Sequence, residues 1–234
     1  MSVSPNSNIT WKNVPTRSIK GGDVTFVYRE LGTHNPGVPL VCLIHLAAVL
    51  DNWDPRVIDG LAANHHVVAF DNRGIGASSG SPANSIEQMA RDAITFIKAM
   101  GFEQVDLFGF SMGGMIAQEI VLMEPQLIRK MIITGTGPAG GVGISKVARV
   151  TYLDMLRGWL TFQDPKQFLF FTRTPSGIRA GKDFRSIEGA LREPGQGNHH
   201  RRAAGAVEGA TQLGLKATRG PFEGPSARAC RKRR

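Results

Sequence analysis

From Leu40 to Gly135 the chain alternates short apolar runs with amphipathic ones, and this alternation constrains the fold more than any other feature. "LVCLIHLA" (Leu40 to Ala47) and "HHVVAFDNRG" (His65 to Gly74) read as buried strands, "QVDLFGF" as a third, short apolar strand and "IRKMIITG" as a fourth, ending in Gly135. An earlier strand is expected in "VTFVYRELG", Val24 to Gly32. Between the apolar runs, "PRVIDGLAAN" reads as a short helix, and "MARDAITFIKAM" repeats its apolar residues at helical spacing until Gly101 stops it. Ser85 followed three residues later by Gln88 predicts a capping box in front of that helix. "MGGMIAQEIVLME" is a third helix, closed by Pro125. Strand and helix in strict alternation imply βαβ crossovers: an α/β fold with a mostly parallel sheet flanked by helices.

The pattern changes near Gly140. "ISKVARVTYLDMLRGWLTFQDPKQFLFF" is helical and aromatic-rich, with Trp159, Phe162 and the run Phe168 to Phe171, and it reads as a helical cap, not a further strand. On it, Asp154 is expected to be a solvated residue. The predicted organisation is a core over 1–140, the beginning of a cap over 141–184 and a basic, low-order tail over 185–234. Arg185 to Arg234 holds six large apolar residues against eight glycines and eight alanines. Such a stretch buries too little apolar surface to offset its ordering entropy.

The formal charge of +9 suggests an acidic partner such as nucleic acid. Its distribution argues otherwise. The tail carries 11 Lys/Arg and 4 Asp/Glu, a net of +7, which leaves 17 basic and 15 acidic residues, a net of +2, for Met1 to Phe184. The N-terminus has no basic-then-apolar leader, and "PLVCLIHLAAVL" is interrupted by His45 and far short of the roughly 20 residues that span a bilayer. Cys42 and Cys230 make neither a disulfide framework nor a metal-ligand cluster. The expectation is a cytoplasmic protein with no membrane or nucleic-acid partner, no metal and no cofactor.

Gly109-Phe110-Ser111-Met112-Gly113 is G-x-S-x-G between a predicted strand and a predicted helix. A serine on so sharp a turn needs small neighbours two residues to either side, and the turn exposes its hydroxyl at the carboxyl edge of the sheet. The plainer alternative is a glycine-rich turn that packs a helix closely on a strand. The context favours a nucleophile, with the helix N-terminus beginning at Met112 stabilising an oxyanion.

With these motifs the chain resembles an α/β-hydrolase of the lipase, esterase and non-haem haloperoxidase type. Besides "GFSMGG" it has "LIHLAAVLDNWD" after one strand and "AFDNRGIGASSG", similar to the family's D-x-R-G-x-G-x-S turn, after the next. The resemblance covers roughly Val24 to Phe184. It implies Ser111 as nucleophile, acting on a small-molecule acyl substrate, with the backbone N–H groups of Met112 and Leu46 as oxyanion donors. Relatives commonly have His-Gly ahead of the second donor, where this chain has His45-Leu46-Ala47, so Ala47 is the alternative to Leu46. His45 reads as a structural histidine and Asp71 and Arg73 as braces of a turn.

Two rival functions remain: nucleic-acid binding through the tail, and dinucleotide binding at Gly74 to Gly80, "GIGASSG". In the second, Asp71-Asn72-Arg73 separates strand from glycine, and Pro82 and Asn84 intervene before the helix, which is the wrong spacing for a phosphate loop. The family also implies an acid after the strand following the cap and a histidine near the C-terminus. Residues 185–234 supply neither in that context. Read one base later with freely chosen codons, the tail can yield a charged helical stretch followed by "RQPVLVANGD", similar to the family's strand leading into the acid loop. The tail is therefore expected to be out of frame, with His199 and His200 accidental and the chain inactive and unstable as it stands.

Overall fold

In the computed structural model, residues 9–46, 48–138, 141, 153–154, 156–158, 160–163 and 166–191 are described, except for the side chains of 166 and 184–191. Ala47, Trp159 and the tail beyond Leu191 lie outside them.

Four strands carry the sheet's centre: β2 (Val24–Leu31), β3 (Leu40–Leu43), β4 (Val67–Phe70) and β5 (Val105–Phe110). Every residue of β3 and β4 is buried, as expected of apolar strands covered on both faces. Two outer strands complete it, β1 (Arg17–Gly21) and β6 (Ile128–Thr134). The order is β1-β2-β4-β3-β5-β6. β4, β3, β5 and β6 run parallel, and β2 is antiparallel to both β1 and β4. β1 is an addition to the sequence-based expectation. Its segment "RSIKG" is mostly exposed and polar, and its place in the sheet comes from pairing with β2.

Side-chain alternation splits the core into two layers. Val41, Leu43, Val68 and Phe70 face one way, against helices α2 (Ile86–Ala99) and α3 (Met112–Met123). Leu40, Cys42, Val67 and Ala69 face the other, against α1 (Pro55–Ala62), Trp11 and Trp53. In the first layer Phe70 stacks on Phe96 at 4.2 Å between centroids, and Phe26 meets both rings edge-on.

Three expectations need correcting. β3 ends at Leu43, not Ala47, because its ladders stop there, at Cys42 opposite Ala69 of β4 and Leu43 opposite Gly109 of β5. The capping box is half formed: Ser85 Oγ accepts the Gln88 N–H at 3.1 Å, but the Gln88 side chain donates to Asp92 Oδ1 instead of turning back. Asp154 is not solvated, since its side chain is 16% exposed and faces Arg173 at 4.0 Å.

Past the sheet, residues 153–154, 156–158 and 160–161 are helical, followed by α4 (Lys166–Phe170) and α5 (Pro175–Leu191). The Arg157 guanidinium lies over the Phe168 ring at 4.9 Å. α5 runs across the boundary drawn at Arg185. Among the described residues no helix is long and apolar enough to cross a membrane.

Candidate active site

β3 is flanked by β4 and β5, so the chain leaves the carboxyl ends of these three parallel strands in diverging directions. Such a divergence opens the crevice in which sheets of this kind hold ligands. Leu43 pairs with Gly109, which puts the turn at His45-Leu46 and the turn at Ser111 at the same end of neighbouring strands.

Ser111 sits between β5 and α3 with φ 55° and ψ −115°. This is left-handed backbone that suits glycine. Only one other described non-glycine residue, Phe162, has a positive φ. Holding a serine there costs on the order of 1–3 kcal/mol, so the surroundings must enforce it. They do so by close approach. A Cβ on Gly109 would lie 2.6 Å from the Gly113 carbonyl oxygen, one on Gly113 would overlap the Leu43 carbonyl, and one on Gly114 would lie 2.6 Å from Thr136 Cγ2. From behind, the Ser111 N–H donates to the Thr134 carbonyl at 2.9 Å, and the Gly114 N–H donates to the Ser111 carbonyl at 3.0 Å to start the helix. The side chain makes no capping hydrogen bond.

Met112 is buried and opens α3, so its N–H belongs to the first turn, whose donors have no partner within the helix. Leu46, 39% exposed, lies in the turn after β3. There His45 Nδ1–H donates to the Leu46 carbonyl at 2.9 Å, and the His45 ring stands edge-on to Phe110, the residue before Ser111, at 5.6 Å. The structure thus gathers Ser111, Met112 and Leu46 at one sheet edge. Ala47, the alternative donor, is outside the described residues. Among those residues no group of three or more His, Cys, Asp or Glu side chains could hold a metal ion.

The glycine-rich loop after β4 is organised around an acid. Asp71 is buried, and its carboxylate accepts the N–H groups of Leu50 at 2.8 Å and Ala77 at 3.2 Å. A Cβ on Gly76, where φ is 58°, would collide with that carboxylate. Burial pushes the Asp71 carboxyl above its ordinary value, with neighbouring Asp51 adding to the effect against the two N–H donors and Arg29. Arg73 grips Asp23 and Asp92, which raises its own pKa. The sequence marked Asp71 as a brace of its own turn. It did not reveal the bond to Leu50, which lies on a different loop 21 residues away. The N–H of Ala77 is spent on a carboxylate, so this loop presents an anion where a phosphate loop would need donors.

Comparisons with known proteins agree with the fold. A model of the family described as alpha/beta hydrolase fold matches residues 39–201. RutD of Azorhizobium caulinodans, put forward by name as a carbamate hydrolase, is 32% identical over 123 residues, covering 52% of this chain and 45% of that protein. The 3-hydroxybutyrate-oligomer hydrolase of Cupriavidus necator is 30% identical over 175 residues, covering 73% of this chain and 58% of that one. Among solved structures, an alpha/beta hydrolase fold protein from Chitinophaga pinensis is similar with a TM-score of 0.70 at 29% identity, covering 86% of this chain and 74% of that chain. The chain spans about half the length of the curated relatives it matches.

Proposed function

Because the chain belongs to the alpha/beta hydrolase fold family, we propose that its chemistry is that of a serine hydrolase in which Ser111 attacks an ester or related acyl carbonyl. The observation that carries this reading is the backbone of Ser111. A serine held at φ 55° by three glycines, its hydroxyl uncommitted to a cap, is costly as architecture and useful as a presented nucleophile.

In the proposed reaction Ser111 Oγ bonds to the carbonyl carbon and gives up its proton to a general base. The carbonyl oxygen becomes an oxyanion held by the Met112 N–H and by the N–H of Leu46 or Ala47. The tetrahedral adduct collapses, the alcohol leaves with a proton from that base, and water then releases the acid from the acyl-enzyme. The names of the relatives, a carbamate hydrolase and a hydrolase of a hydroxybutyrate oligomer, support a substrate with a carbonyl next to a heteroatom. The aromatic cap favours a small or medium apolar acyl group.

His45 is not assigned as the base, because it precedes Ser111 in the chain, whereas the order in this fold is serine, acid, histidine. Without a general base, Ser111 would be an ordinary alcohol, and the oxyanion donors alone would retain a small fraction of full catalysis. We expect the 234-residue chain to turn over slowly at most, and the segment from Arg185 to be translated out of frame. Resequencing the codons for Phe184 and Arg185 tests the frame, and one unbroken frame removes that part of the proposal.

The chemistry is tested with protein expressed from the complete reading frame. Turnover of p-nitrophenyl butyrate should fall at least about a thousandfold on Ser111→Ala. Undiminished turnover rules out the serine mechanism.

A further inference from the structure

We infer that Asp71 is a positioning residue for the loop after β3, its carboxylate fixing the path of the turn that carries the candidate oxyanion donor. The oxyanion part of this inference rests on the function proposed above; the latch itself does not.

Asp71 follows the last residue of β4 and is 4% exposed. Four hydrogen bonds tie it to three segments. Its N–H donates to the Val27 carbonyl of β2 at 2.8 Å, and its own carbonyl accepts from Ser78 Oγ at 2.7 Å. Its carboxylate oxygens divide between loops: Oδ1 accepts the Leu50 N–H and Oδ2 the Ala77 N–H. An ionised carboxylate can accept both at once, whereas an asparagine would offer an oxygen to one and an N–H₂ to the other. A turn brace alone needs only the bond to Ala77.

The second bond reaches the loop of interest where it rejoins the core. Leu50 opens a 3₁₀ turn, Leu50–Asn52, and its carbonyl accepts the Trp11 indole N–H at 3.2 Å. The preceding Val49 packs on Ile75, both 6% exposed, and donates its N–H to Asn52 Oδ1 at 2.9 Å. At its other end the loop leaves buried Ile44, and His45 bonds to the Leu46 carbonyl. The loop is therefore held at buried Ile44 on one side and at Leu50 on the other, where Asp71 accepts the N–H. A donor placed about 1 Å off loses much of its value to a developing oxyanion, so this anchor governs the site without touching substrate. The charged groups facing Asp71 are Asp51 on the 3₁₀ turn and Arg29 of β2, themselves paired at 2.8 Å.

Hydrogen–deuterium exchange on the full chain tests the latch. In Asp71→Asn, exchange over residues 44–53 should accelerate about tenfold, as loss of one charge-assisted bond implies, with residues 105–110 unchanged. Faster exchange confined to 71–80 would reduce Asp71 to a turn brace and overturn the inference. If the substitution loosens 105–110 as well, the parent chain decides. Protection of 44–53, corrected for the intrinsic pH dependence of exchange, should change in step with that of 71–80 as acid protonates Asp71, and independent behaviour overturns the latch. In the p-nitrophenyl butyrate assay, Asp71→Asn should lower kcat about tenfold and leave KM unchanged. An unchanged kcat with loosened 44–53 would remove the oxyanion role alone. Loss of turnover on Ser111→Ala with unaltered exchange in Asp71→Asn would keep the proposed function and reject the latch.

Discussion

β4 and β6 both carry runs of apolar residues and end in opposite circumstances. "VVAF" of β4 is buried along its whole length between β2 and β3, while in "IRKMIIT" of β6 Met131, Ile132 and Ile133 are 37%, 57% and 40% exposed. β6 pairs with β5 on one side and with no strand on the other among the described residues. An apolar run therefore specifies a strand, but only its neighbours decide whether that strand contributes a core. The same contrast extends outward. The aromatic layer at Phe26, Phe70 and Phe96 is closed, whereas Phe170 on α4 is 72% exposed. Stability belongs to the centre, and the edge carries the exposed apolar surface that promotes association.

The contrast breaks most visibly under truncation. Phe96→Ala removes a stacked, fully buried ring and should cost about 4 kcal/mol in denaturant unfolding. Ile132→Ala on β6 should cost under about 1 kcal/mol and reduce self-association, as sedimentation would show. Comparable losses at both sites would mean that β6 is covered in solution. Next in size is Gly113→Ala, whose Cβ overlaps the Leu43 carbonyl where α3 meets β3. A loss of about 3 kcal/mol is expected. Gly101→Ala meets nothing within 4 Å, and its smaller cost comes only from a φ of 77°.

The smallest effect separates the two regions by sign. At the edge, Arg129 of β6 bonds to Asp106 of β5 at 2.6 Å and holds that carboxyl below the usual range. Its stabilisation is complete above the unfolded value of about 3.9 and is lost as pH falls through the lower folded value. At the centre, burial raises the Asp71 carboxyl. Its contribution is complete below the unfolded value and is lost as pH rises through the raised folded one. Melting temperatures between pH 2 and 6 should show Asp106→Asn weakening the acid-side decline and Asp71→Asn weakening the opposing trend.

The fold was largely legible because each central strand is an apolar run bounded by a turn residue, and the serine turn announced itself through Gly109 and Gly113. β1 was not, since its polar segment gains its place only through β2. Nor was the half-formed capping box, because Gln88 is drawn to an aspartate held by Arg73. Asp71 shows the general limit. Its own loop was recognisable as a glycine-rich turn, yet its bond to Leu50 joins two loops that no local pattern links.

Under the proposed function, the strained backbone at Ser111 lowers stability in order to present the hydroxyl. Denaturant unfolding of Ser111→Gly against Ser111→Ala tests it most directly, because both lack the hydroxyl and only alanine keeps the Cβ that φ 55° disfavours. Ser111→Gly should be more stable than Ser111→Ala by about 1 kcal/mol, strain relief outweighing the entropy that glycine adds to the unfolded chain. Equal stability, or a more stable alanine variant, would show that the turn stores no strain and would contradict it.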